Sequence, residues 1–252
     1  MGKLLASYGA VALPASNKMD KLKPDSTGYY KMVLGAFDVF NNKGEFYPLV
    51  PTVKALFQPG GMVRRRLDNR LFGGELGHPD MTGFKDRKSA LNRVSYIDPT
   101  RKCVHIKQID LVEHKDENGK NIVLSVGMIK PSGPYGASHK EQLDNPEENV
   151  AYSVRSFTKA ARGPGGTKSK IIIDIPAYDN VTEGGISHAT QYMVTSLEHF
   201  EEINFNEKDI EDALDLSTVP GFEHDITSLR MVKTFMGWQK IEIFNTGVLN
   251  WK

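Results

Sequence analysis

Cysteine is nearly absent from this chain: Cys103 is the only one among 252 residues. A single thiol forms no intrachain disulfide, so the core must hold the fold, and a reducing compartment is the simplest setting. Val104 and alternating apolar residues flank it, which reads as a buried strand thiol rather than a nucleophile. Long apolar runs are lacking too. None approaches the roughly 18 residues that span a bilayer. The patch from Leu4 to Leu13, broken by Ser7, Tyr8 and Gly9, reads as a first strand, not a signal peptide. Charge of one sign is also scarce. With 32 Lys and Arg against 31 Asp and Glu, the net charge is +1, which supplies no bulk attraction to nucleic acid or an anionic membrane. The expected setting is the cytosol or a particle assembled there, with neither nucleic acid nor membrane required. The one basic run, Arg64-Arg65-Arg66, reads as a solvated loop or helix end. His78, Asp80 and His105 can be grouped as metal ligands on paper, but no His-x-x-x-His or Cys-x-x-Cys pairing supports a site. Neither metal nor other cofactor is expected.

What remains is an ordinary globular composition, 39% hydrophobic and 25% charged, long enough for one large domain or one domain with an appendage. Lys31 to Phe40 is rich in β-branched and aromatic residues and reads as a strand, with Asn41 to Gly44 as its turn. A helix is expected from about Val50 to Phe57, ended by Pro59-Gly60-Gly61. Alternation from Val94 to Val112, a turn at Asp116 to Lys120 and a strand from Ile122 to Ile129 make a β-hairpin. Ser132 to Glu148 reads as a helix, Val150 to Phe157 as a short strand, and Lys170 to Ile175 as another. Gly163 to Gly166 lacks the residue order of a phosphate-binding loop and reads as a connection. Glu198 to Leu216 is acidic and amphipathic, helical or partly ordered, and Met231 to Asn250 is strand-like. The fold class is α+β, with a mostly antiparallel core and a few helices.

Two short stretches carry possible chemistry. His78 lies between Gly77 and Pro79, which places the imidazole on a stiffened turn. Ser153 lies in Ala151-Tyr152-Ser153-Val154-Arg155-Ser156. A serine hydroxyl becomes a useful nucleophile when a neutral imidazole takes its proton during attack, and the two need not be close in sequence. Arg155, two residues on, shares a face with Ser153 if the segment is extended, and can support the site or face a developing oxyanion. Glu75, Asp80 and Asp179 are the carboxylates available to orient the imidazole, Asp179 being read as a loop residue after Pro176. Taken singly, each of these has an ordinary alternative: a surface histidine, a strand-edge hydroxyl, an exposed arginine, a loop carboxylate.

Together, four stretches resemble the procapsid maturation proteases of large contractile-tailed phages, relatives of herpesvirus assemblin. Asn41 to Pro48 resembles the family's Asn-rich stretch ending in Tyr-Pro. Gly74-Glu75-Leu76-Gly77-His78-Pro79 matches its Gly-Glu-Leu-x-His-Pro block, whose histidine is the general base. Tyr152 to Ser156 resembles its Val-Ser-Ser-Arg-Gly block, whose first serine is the nucleophile, and Tyr178 to Val181 the segment holding an acidic third member. The likeness runs from about Val33 to His188. Val154 stands where the family has serine and Ser156 where it has glycine, which keeps Ser156 as a rival nucleophile. Assemblin uses a second histidine as third member, so His105 and His188 stand beside Asp179 for that role.

The change from a β-rich pattern to an acidic amphipathic one divides the chain into a protease domain over 1–196 and an acidic C-terminal extension over 197–252. The resemblance implies a β-barrel ringed by helices. It implies a serine endopeptidase acting in the assembling prohead, in the host cytoplasm, on scaffold and capsid proteins and on itself. Cleavage after glutamate is implied, which makes Glu198, in Ser196-Leu197-Glu198, and Glu223, in Gly221-Phe222-Glu223, candidate self-cleavage points. Self-association is a further expectation. The rival from another class is a non-catalytic assembly or tail-tube-like protein on a related fold.

Overall fold

A computed structural model describes residues 4–13, 22–41, 44–81, 86–116, 118–181, 203–216 and 226–238. In chain order the strands and helices are β1 (Leu4–Leu13), β2 (Tyr30–Phe37), β3 (Val39–Phe40), β4 (Phe46–Tyr47), α1 (Pro51–Ala55) and α2 (Met62–Asp68). Then come β5 (Gly73–Glu75), α3 (Arg87–Ser95), β6 (Lys102–Lys115), β7 (Asn121–Pro131) and α4 (Gly136–Asp144). The chain continues through β8 (Val150–Arg162), β9 (Lys168–Val181), β10 (Ile203–Phe205), α5 (Glu207–Leu216) and α6 (Ile226–Phe235).

Mixed α+β is the class, as the patterning implied. Among the described residues the strands make two sheets, ordered β10-β1-β8-β9-β4-β3 and β2-β7-β6-β5. Their pairing is antiparallel except for β4 on β9. A parallel bridge from Leu76 to Asn180 ties the end of β5 to β9 and so joins the sheets. A core of apolar side chains from β2, β6, β8, β9, α1 and α2 fills the space between them, including Phe37, Ile106, Tyr152 and Tyr178. A second cluster joins Leu4 and Phe157 to α3, α5 and α6 through Leu91, Ile210 and Leu229.

Several local readings change. Val94 and Ser95 close α3 instead of opening a strand; the Asp86 side chain accepts from Ser89 N and caps that helix. Arg66 is not solvated: it lies on α2, is 7% exposed, and grips Asp174 through both Nη atoms at 2.7 Å. β9 runs past Pro176 to Val181, so Asp179 is a strand residue. The register between β8 and β9 steps between Arg155↔Ala177 and Phe157↔Asp174, and Pro176 sits in that step, where a missing N–H breaks no ladder bond. Residues 231–235 belong to α6, not to a strand.

Of the stretch expected to be an appendage, the described residues 203–216 and 226–238 pack on the body of the fold. β10 pairs with β1, and Phe205, Ile210, Ala213, Leu229 and Val232 are buried in the second cluster. The larger of these contribute about 1.5–3 kcal/mol each on burial. Ser228 on α6 donates to Asp174.

Candidate functional site

The site forms where β5, β8 and β9 meet. Ser153 and Asp179 are directly opposite in the antiparallel β8–β9 pair, so their side chains leave the same face with Cβ atoms about 5 Å apart. Arg155 follows Ser153 on that face. Its Nε donates to Asp179 Oδ2 at 2.9 Å and its Nη2 to Asp179 Oδ1 at 2.7 Å. The same Nη2 reaches Glu75 Oε1 at 2.9 Å, and Nη1 reaches the Tyr96 carbonyl at 2.7 Å. Arg155 is fully buried. Its Nε and both Nη atoms are engaged by carboxylates and a carbonyl.

His78 enters from the stretch after β5. Its Nδ1 is 3.2 Å from Asp179 Oδ2. With the proton on Nδ1 this nitrogen donates to the carboxylate, and Nε2 is left as the basic atom. The approach is fixed by backbone. Glu75 N donates to Asp179 Oδ1 at 3.0 Å, Gly77 N to Asn180 O at 2.7 Å, and Leu76 N to Arg101 O at 3.0 Å. Gly77 has φ +72°, a left-handed turn that sets the direction of His78. Gly74 is required for a different reason: a Cβ there would lie 1.7 Å from the Tyr178 carbonyl oxygen, because β5 passes against β9.

Burial alone would raise the Asp179 carboxyl, but the Arg155 guanidinium, with help from His78, outweighs it and holds the group at about 2. It is therefore a permanent carboxylate, suited to orienting an imidazole and stabilising its protonated form rather than to taking a proton. Glu75, also fully buried, binds Arg93 through both oxygens and accepts from Asp98 N at 2.9 Å. Arg101 Nε stands 3.7 Å from Glu75 Oε2. Cys103 lies against this cluster, its Sγ 3.7 Å from Gly74 O, and burial pushes its thiol up to about 12. It is inert, as the flanking residues implied.

Ser153 itself is fully buried, and its hydroxyl makes no hydrogen bond among the described residues. Ser156 differs: its Oγ donates to the Ser7 carbonyl at 3.0 Å, bracing β8 against β1. His105 is not brought to the site. Its Nδ1 meets the Tyr29 hydroxyl at 3.0 Å and its Nε2 the Arg70 carbonyl at 3.3 Å, and burial lowers its pKa. His188, Glu198 and Glu223 lie outside the described residues. Arg93 and Arg101 were not foreseen. Position gives no signal for them, since Arg93 lies within α3 and Arg101 beyond it, both far from Glu75 in sequence, although a charged residue inside an apolar strand, as Arg155 is, signals that buried partners exist somewhere.

The model of the family described as Peptidase S80 matches residues 8–233. The chain is 35% identical over 201 residues to the capsid maturation protease of Pseudomonas phage phiKZ, covering 77% of this chain and 72% of that protein. Among solved structures it is similar to the capsid assembly protease gp21 of bacteriophage T4, with a TM-score of 0.45 and 13% identity over 71% of this chain and 98% of that one.

Proposed function

The chain belongs to the peptidase S80 family, and from that premise we propose that it is a serine endopeptidase of phage prohead maturation, with Ser153 as nucleophile and His78 as base. The observation that carries this is the His78–Asp179 contact made opposite Ser153 across one strand pair. In the proposed step Ser153 Oγ attacks the scissile carbonyl carbon and its proton passes to His78 Nε2. The imidazolium, facing the Asp179 carboxylate, then returns that proton to the departing amine. Water attacks the acyl-serine by the same route in reverse. Asp179 takes the third role in place of His105, whose ring nitrogens are engaged elsewhere.

Scaffold and capsid proteins are the proposed substrates, cut after glutamate in the prohead, and the chain itself is among them. A covered Ser153 cannot meet a peptide, so the described conformation is a latent one that opens when the particle is ready. An assemblin-type barrel is part of this reading, and the two sheets joined at Leu76 and Asn180 are the feature that supports it. The proposed division at about residue 196 takes a particular form: β10, α5 and α6 are core elements, so a cut after Glu198 yields two pieces that stay together. Size exclusion under native conditions, followed by denaturing mass spectrometry, distinguishes retained from released fragments.

The decisive experiment is co-expression with scaffold protein. Ser153→Ala and His78→Ala leave the scaffold intact, while Ser156→Ala cuts it normally. A serine-reactive phosphonate labels Ser153 alone. Cleavage by Ser153→Ala at the wild-type rate overturns the nucleophile assignment, and a wild-type chain that neither cuts scaffold nor takes the label leaves the non-catalytic assembly protein as the better reading.

A further inference from the structure

The buried cluster behind His78 sets three arginines against two carboxylates. Arg93 and Arg155 are enclosed, and between them they occupy Glu75 and Asp179 at hydrogen-bond distance. Glu75 Oε1 accepts three donors and Oε2 one, so the third cation finds its place taken. Arg101 is that cation. Its Nε stays 3.7 Å from Glu75 Oε2 and, although buried as an atom, makes no hydrogen bond among the described residues. Among the described residues its one short side-chain bond runs from Nη2 to the Leu76 carbonyl at 2.8 Å. That bond lays the guanidinium along the stretch that delivers His78: a Cβ on Gly77 would stand 3.6 Å from Nη2. The side chain is 42% exposed, against 9% for Arg93 and none for Arg155. Asp98 is a further anion whose carboxyl is lowered mainly by Thr100 and in lesser part by Arg93 and Arg101, but its Oδ1 is held by Thr100 N and Oγ1 at 2.8 and 2.6 Å.

Resting on the peptidase reading above, we infer that Arg101 is the specificity residue, the cation that receives an acidic side chain flanking the scissile bond. An arginine suits the task because it stays charged at any working pH and offers several donors to one carboxylate. Its surplus charge lies beside the base instead of inside the core, where substrate can meet it. Discrimination follows from the same geometry. A glutamate supplies the acceptor that Arg101 lacks, and a neutral side chain leaves the guanidinium partly desolvated with nothing gained. Gly77 contributes by having no side chain to fill the space against Nη2.

The test is a mixed peptide library digested with the full-length chain recovered from proheads whose scaffold is being cut, so that the latent form has opened, cut sites being read by mass spectrometry. Paired peptides differing only as Glu or Gln at the cut site then give kcat/KM. Wild type cuts beside acidic residues and prefers the Glu peptide by at least roughly tenfold. Arg101→Gln keeps the Gln peptide within about threefold of wild type and loses the preference; Arg101→Lys keeps part of it. An unchanged Glu-to-Gln ratio in Arg101→Gln overturns the inference and leaves the peptidase reading standing. Equal loss on both peptides in Arg101→Gln and Arg101→Lys also overturns it, since the residue would then only brace the His78 stretch. A wild-type chain that cuts neither peptides nor itself overturns both readings together.

Discussion

β9 carries two buried aspartates with nearly the same chemistry and different surroundings. Asp174 is gripped by Arg66 and accepts from Ile175 N and Ser228 Oγ. Asp179 is gripped by Arg155 and accepts from Glu75 N, but its remaining neighbour is His78. Both carboxyls lie below their ordinary range, arginine outweighing burial in each case. The partners of Asp174 are all enclosed: the Arg66 side chain is 9% exposed and Ser228 is buried. His78 is 27% exposed. A buried Asp–Arg pair is therefore a bracing device in itself, and it becomes part of a site when one of its contacts leads outward through a group that can exchange a proton.

The largest expected effect separates the two networks completely. Ser153→Ala and His78→Ala each lower turnover by about 10⁴–10⁶ with the fold intact, and the double variant falls no further because the pair acts as a unit. Turnover on a peptide substrate, with melting temperature as the control, checks this.

Next come the aspartates themselves. Asp179→Asn lowers turnover by about 10⁴, since the amide favours the wrong imidazole tautomer. Asp174→Asn leaves turnover per folded molecule within about threefold. Both variants lose stability, on the order of 3–5 kcal/mol if the arginine is left without its charge partner. Denaturant titration and active-site labelling separate the two quantities; equal catalytic loss in both would erase the distinction.

A third expectation concerns the junction. Gly74→Ala forces β5 off β9 and costs several kcal/mol, with loss of activity, because its Cβ has no space. Gly119→Ala, in an open turn with φ +75° and nothing near its Cβ, serves as the comparison and costs about 1 kcal/mol.

Acid sharpens the comparison more gently. The Asp179 carboxyl sits at about 2 when folded against a reference of 3.8. Its contribution to stability is complete above about pH 4 and is lost as pH falls through the folded value. The gap in urea midpoint between wild type and Asp179→Asn should narrow steadily from pH 5 toward pH 2. The smallest effect belongs to Ser156→Ala, about 1 kcal/mol for the lost bond to Ser7 O and no change in turnover.

What could be read in the sequence was local. Gly77 and Pro79 mark His78 by their backbone demands, and alternation around Ser153 places it and Arg155 on one strand face. Asp179 was named, but as a loop residue, because Pro176 reads as a strand terminator unless the register step opposite it is known. Arg66, Arg93 and Arg101 stayed invisible as parts of networks. An ion pair between distant segments has no period, and a triplet such as Arg64-Arg65-Arg66 looks solvated when only its third member turns inward. The acidic, amphipathic pattern from Glu207 to Asp215 was legible as a helix, but not its partners: the face carrying Ile210 and Ala213 is covered by α3 and α6.

The pairing of Ser153 with Asp179 has a consequence for timing. Two of the three groups belong to a single rigid frame, since neither strand can slip without exchanging a whole ladder of hydrogen bonds. The imidazole alone arrives from a separate segment, fastened upstream at Gly77 N and leading away through Pro79. The proposed base and nucleophile can thus be parted by moving one short stretch while both strands of the β8–β9 pair stay in register. On the proposed reading, a single part is enough to arm or disarm the peptidase.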